Sequence, residues 1–216
     1  MNKNATGWLV TIAAILLVPA LQGCIPVAAV GVGAGIGSFN DRRTSGTQIE
    51  DEGIELRAAN RIGERWGDKM HVNVTAYNRS VLLTGEAPDA AAKTAIEKLV
   101  GAVPNVRSVI NEIEVAGVSA YSARANDSYL TSKVKARFVD ANRFNALQVK
   151  VVTENGVVYL LGIVTQAEAG AATEIARTTG GVRKVVRAFE YCAPTDEVCR
   201  PPEPPKYEPA KPGAGR

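Results

Sequence analysis

The chain has one histidine, His71, and three cysteines, Cys24, Cys192 and Cys199, in 216 residues. With so little imidazole and thiol, no thiol stands beside a base, no serine lies in a nucleophile-elbow context, and a zinc site on Cys192 and Cys199 would need further ligands, His71 being far away in sequence. An enzyme, a bound metal and a cofactor are therefore not expected, and His71 reads as a boundary residue before a strand. Charge of one sign is also lacking. The 25 Lys and Arg nearly balance 22 Asp and Glu, leaving a formal +3, so bulk electrostatics does not call for a nucleic-acid partner. The carboxylates, scattered along helix faces, read as solvated charges. Beyond the amino-terminal segment, no apolar run approaches the roughly 20 residues that a bilayer crossing needs.

What is present begins with Leu21-Gln22-Gly23-Cys24, which closes an apolar run from Trp8 to Ala20 preceded by a single cation, Lys3. Such an order reads as a secretory signal. Leu21, Gly23 and Cys24 resemble the bacterial lipobox, although Gln22 is a less usual occupant of its position; an uncleaved anchor or an accidental cysteine are the other readings. The resemblance implies that residues 1–23 are removed and that Cys24 is acylated. Each buried methylene contributes about 0.8 kcal/mol, so two or three acyl chains give a durable anchor. With Ile25 following the cysteine, the lipobox resemblance implies the outer membrane, with the protein facing the periplasm. Residues 24–46, with Gly31, Gly33, Gly35 and Gly37 alternating, are expected to form a flexible tether.

Two copies of one unit follow. Val72 to Gly85 aligns with Val149 to Gly162 at an offset of 77 (149 − 72), and Val106 to Ile110 aligns with Val182 to Val186 at 76 (182 − 106). Asp51, Ile54, Arg61 and Ile62 match Asp127, Leu130, Arg137 and Phe138. In each copy, Ile54, Ala58 and Ile62, or Leu130, Val134 and Phe138, recur every four residues and mark an amphipathic helix. Two β-branched runs then meet at a tight turn, Tyr77 to Ser80 or Glu154-Asn155-Gly156. The Ala-rich segments from Asp89 to Val100 and from Ala167 to Thr178 read as second helices, and the last strands as Arg107 to Val115 and Arg183 to Tyr191.

The predicted class is α+β: two tandem units of helix-strand-strand-helix-strand, each with both helices on one face of a three-stranded mixed sheet. Both faces of the middle strand are apolar. The face without helices is expected to be covered by the neighbouring unit.

The run Val81-Leu82-Leu83-Thr84-Gly85, followed by an Ala-rich helix and Val103-Pro104-Asn105-Val106-Arg107-Ser108-Val109, resembles the BON domain. So does Gly162 leading to Gly180-Gly181-Val182-Arg183-Lys184-Val185. Together with the lipobox, the chain is similar to dual-BON outer-membrane lipoproteins of the kind associated with division and outer-membrane stress. That resemblance implies binding to phospholipid or another envelope surface, a role in outer-membrane integrity, and no enzymatic activity. The expected organisation is a signal at 1–23, the tether at 24–46, a first BON domain at 47–116, a linker at 117–123, a second BON domain at 124–192 and a Pro-rich tail at 193–216 that reads as an extended, disordered spacer. Cys192 and Cys199 have no counterpart in that pattern. In an oxidising compartment an even pair most simply forms a disulfide.

The first helices of the two copies differ. On the second, read as Asp127 to Ala141, the residues Leu130, Val134, Phe138 and Ala141 form the stripe toward the sheet, and Tyr129, Ser132, Ala136 and Val139 fall opposite it, flanked by Lys133 and Lys135, with Arg137 nearer the core edge. Aromatic and apolar groups beside cations suit an anionic lipid interface. The first helix instead carries Asp51, Glu52, Glu55 and Glu64 against Arg57, Arg61 and Arg65, so the second is the expected phospholipid-binding helix. Two other readings stand beside it: Tyr129 and Val139 pack between the domains, or the protein docks an outer-membrane assembly or cell-wall partner through a sheet edge or its tail.

Overall fold

The computed structural model describes residues 41–200. The signal, Cys24, most of the tether and the tail beyond Arg200 lie outside the described residues. Helix α1 (Ser45–Trp66) leads into β1 (His71–Tyr77) and β2 (Ser80–Ala87), then α2 (Ala90–Gly101), β3 (Ser108–Asn111) and β4 (Glu114–Val115). The second copy repeats this order with α3 (Tyr121–Ala141), β5 (Lys150–Glu154), β6 (Val157–Val164), α4 (Gln166–Arg177) and β7 (Lys184–Tyr191). In both copies the hairpin is antiparallel and the last strand returns parallel to the middle one. In the first copy the last strand is interrupted at Glu112–Ile113. The interruption leaves the register unchanged, and Asn111 Oδ1 accepts from the Ile113 amide at 3.2 Å.

The alternation of β2 and β6 divides the molecule into three apolar layers. Val81, Leu83 and Ala87 face α1 and α2 with Ile54, Ala58, Ile62, Ile96 and Val100. Val158, Leu160 and Val164 face α3 and α4 with Val134, Phe138, Ala172 and Ile175. On the helix-free faces Tyr77, Leu82, Val157, Tyr159 and Leu161 form a third cluster that joins the two sheets. The expectation that each unit covers the other's bare sheet is met, and the contact has the logic of a sandwich core.

The repeated glycines follow from close backbone approach. A Cβ on Gly85 would stand 2.1 Å from the His71 carbonyl oxygen, and one on Gly162 2.5 Å from that of Gln148. Both hairpins turn through left-handed residues, Asn78 and Arg79 (φ 50° and 64°) and Asn155 and Gly156 (φ 48° and 70°).

Several boundaries shift from those expected. Helix α1 starts within the expected tether because Thr44 caps it, accepting from the Thr47 amide at 3.1 Å. Helix α3 starts at Tyr121, inside the expected linker. Residues 193–200 are ordered and not part of a spacer: Cys199, in the short helical turn Glu197–Cys199, is buried and joined to Cys192, with Cα atoms 6.3 Å apart. Closing so short a loop stabilises by an amount at the low end of about 2–4 kcal/mol. Mass spectrometry of envelope-purified protein under non-reducing conditions should find this pair without free thiols.

Candidate phospholipid-binding surface

Helix α3 lacks a sharp division into polar and apolar sides because both carry apolar residues. Leu130 is buried, and Val134 and Phe138 are buried in the second core. Ala141, expected on the same stripe, is exposed; it is the last helical residue, and Asn142 turns the chain into the left-handed region (φ 46°). On the opposite side Tyr129 is 63% and Val139 65% exposed, and Ser132, Lys135 and Ala136 are exposed with them. Tyr129 and Val139 therefore do not pack between the domains, whose contact is made by the sheets.

The structure separates the three expected cations. Lys133, half-buried, donates to the Gly180 carbonyl at 3.0 Å and stands 6.0 Å from the Tyr129 ring centroid. Arg137 donates to the Ile175 carbonyl at 2.8 Å, to Thr179 Oγ1 at 2.7 Å and to Thr178 Oγ1 at 3.2 Å. Its guanidinium thereby satisfies the carboxyl end of α4, where carbonyls lack helical partners and positive charge is favoured. Arg137 positions α3 against α4, which leaves Lys135 as the open cation of the three. Of the helix's acids, Asp127 is buried and Asp140 is exposed in the last turn.

Three further residues belong to this surface. Tyr121, 84% exposed with the Arg124 guanidinium over its ring, shares the outer stripe at the amino end of α3. Arg143 and Leu147, both exposed, line an open groove with Val139 beyond the carboxyl end. From Tyr121 to Val139 the stripe runs about 27 Å along the helix. Its signal was the eight-residue step from Tyr121 to Tyr129, hidden by placing the helix start too late.

Helix α1 also exposes apolar side chains, Ile49 and Leu56, but beside exposed Glu52 and Glu64. Its Arg61 and Arg65 line a groove with Lys98 on the other side of the helix pair, and Arg61 donates to the Ala102 carbonyl at 3.2 Å.

Two polar clusters unforeseen in the sequence hold the copies together. Arg42 reaches across to Glu168 with paired contacts of 2.7 and 2.9 Å and to the Ile163 carbonyl at 2.8 Å. Burial pushes the Glu168 carboxyl up, but the hydrogen bonds from Arg42 and Thr165 outweigh it and hold the group below the ordinary carboxylate range. At one end of the sheet interface His71, Glu86 and Glu154 converge. His71 Nδ1 is 3.2 Å from Glu86 Oε2, and Asn73 Nδ2 donates to Glu154 Oε2 at 2.7 Å. Burial pushes the Glu154 carboxyl up, against the Asn73 hydrogen bond.

Comparison with known proteins follows the repeat. The BON domain model matches residues 50–117 and again 126–193. The chain belongs to the BON-domain family. It is 40% identical over 174 residues to the outer membrane lipoprotein DolP of Haemophilus influenzae, covering 79% of this chain and 90% of that protein. It is 35% identical over 153 residues to the 21 kDa hemolysin of Actinobacillus pleuropneumoniae, covering 70% and 79% respectively. It is 31% identical over 117 residues to the osmotically-inducible protein Y of Escherichia coli, covering 53% and 58%. In BON terms α3 is the first helix of the second copy, and both sheets belong to the repeated unit. Among the described residues no helix is long and apolar enough to cross a membrane.

Proposed function

We propose that this protein is an envelope lipoprotein whose second BON domain binds anionic phospholipid through the outer stripe of α3 and thereby supports outer-membrane integrity. The observation that carries the reading is the exposure of Tyr129 and Val139 on the side of α3 opposite its core, with Lys135 between them in sequence. A tyrosine ring is at home at headgroup depth, apolar side chains gain by leaving water, and lysine stems lie along the surface with their charge outward. Tyr121, Arg143 and Leu147 extend the same face. Similarity to an outer membrane lipoprotein supports a lipid-anchored location in that membrane, and acylation of Cys24 with the chain facing the periplasm completes the proposal.

Cations near an anionic surface contribute on the order of 1 kcal/mol each, and screening shortens their reach from about 10 Å at 0.1 M salt to about 3 Å at 1 M. Vesicle titrations at rising NaCl are the test. Affinity of residues 41–200 for vesicles containing phosphatidylglycerol should fall steadily with salt, whereas a salt-independent affinity would assign the contact to apolar burial alone. Docking of an outer-membrane protein partner is the second reading, and the exposed stripe would serve there too; failure to bind any vesicle would favour it.

A further inference from the structure

We propose that His71, Glu86 and Glu154 form a site for one divalent transition-metal ion of the zinc class, bridging the two BON domains. The ligating atoms that the three side chains offer lie within 4.8 Å of one another. Ligands of a tetrahedral zinc ion with bonds near 2.0 Å stand roughly 3.3 Å apart, so a small closure of side chains completes three positions. The fourth is open to water, because His71 and Glu154 line a cavity of about 370 Å³ between the copies. Imidazole together with carboxylate favours zinc over the oxygen-seeking magnesium and calcium ions.

The surroundings are built as a metal site's outer shell would be. Asn73 at 2.7 Å and Thr84 at 3.2 Å both donate to Oε2 of Glu154, leaving its Oε1 without a hydrogen bond among the described residues. The Ser119 amide donates to Glu86 Oε2 at 3.2 Å and fixes that carboxylate in turn. Outer-shell contacts of this kind orient ligands and raise affinity. Both carboxylates are buried, at 3% and 7% exposure, and neither pairs with a lysine or arginine among the described residues. Arg124, on the same cavity, donates to the Ser119 carbonyl and lies over Tyr121. Two buried acids side by side repel unless a proton or a cation lies between them. His71 and Glu86 come from β1 and β2, and Glu154 from β5, so the ion would link the two sheets at the polar end of their interface.

The single histidine makes the test selective. The full chain in detergent micelles, stripped with EDTA, is titrated with ZnCl2 while the imidazole ¹H–¹⁵N signals of His71 are followed by NMR. The proposal expects those signals to shift and to saturate at one zinc per chain. Glu154→Gln, which keeps the size and the Asn73 contact, should weaken zinc binding at least tenfold. Imidazole signals unmoved by excess zinc, or moved with equal affinity in Glu154→Gln, overturn it; if that variant does not fold, the wild-type titration decides alone.

Discussion

Tyr129→Glu is expected to abolish binding of residues 41–200 to anionic vesicles while leaving the fold intact. The ring is 63% exposed and makes no contact with either sheet's core, so its replacement should alter stability by no more than about 0.5 kcal/mol. At a membrane the same change removes an aromatic group whose burial contributes roughly 1.5–3 kcal/mol and adds an anion facing an anionic surface. Together these predict a loss of about 100-fold or more in affinity, since each 1.4 kcal/mol is a factor of about ten. The control is Leu56→Glu, at a comparably exposed apolar position of α1 (64%), which should leave binding within about twofold of wild type. Circular dichroism and thermal melting of both variants establish that they are folded. Equal loss in the two variants would move the contact away from α3.

Asp51→Ala should be strongly destabilising to the first domain although it removes no apolar packing. The Asp51 carboxylate is 2% exposed and accepts from the Asn78 and Arg79 amides and from the Arg43 guanidinium, each at 2.7 Å. Those two amides belong to a turn that two non-glycine residues hold at positive φ. Truncation leaves two turn amides without their acceptor and takes from the Arg43 guanidinium one of its two carboxylate partners, Asp41 remaining at 2.7 Å; with each unpaired amide costing about 1–3 kcal/mol, the loss comes to about 3–5 kcal/mol. For a chain of this size that lowers the melting temperature by roughly 6–20 °C. The matching carboxylate of the second copy, Asp127, accepts from the Asn155 and Gly156 amides at 2.8 Å each, with no arginine, so Asp127→Ala should cost less. Thermal melting of the two variants side by side checks both the size and the order.

The repeat carried most of the fold. Periodicity of four foretold the burial of Ile54, Ala58, Ile62, Leu130, Val134 and Phe138, and alternation on β2 and β6 foretold that Leu82 and Tyr159 would face the other copy. The correspondence of Asp51 and Asp127 was visible, but their task was not: each reaches a hairpin turn some 27 residues on, a contact that only folding brings together. The same holds for Arg42, which joins the amino-terminal arm to Glu168 across 126 positions. Lys133 looked equivalent to Lys135, and Arg137, though read as nearer the core edge, was counted with them, because helical angle alone does not show what a long side chain can reach. The ends of α4 and the turn at Gly180 decided it. His71 looked isolated because its companions Glu86 and Glu154 are 15 and 83 residues away in sequence (86 − 71 and 154 − 71).

The central claim, that the outer stripe of α3 meets an anionic bilayer, is tested most directly by co-sedimentation of residues 41–200 with vesicles of neutral and of anionic composition. This span keeps Arg42, Arg43 and Cys199, which the structure shows packed on the two domains, and it omits Cys24, so acylation cannot supply the binding. The account predicts pelleting with phosphatidylglycerol-containing vesicles and little with pure phosphatidylcholine. Equal pelleting with both, or with neither, would contradict it.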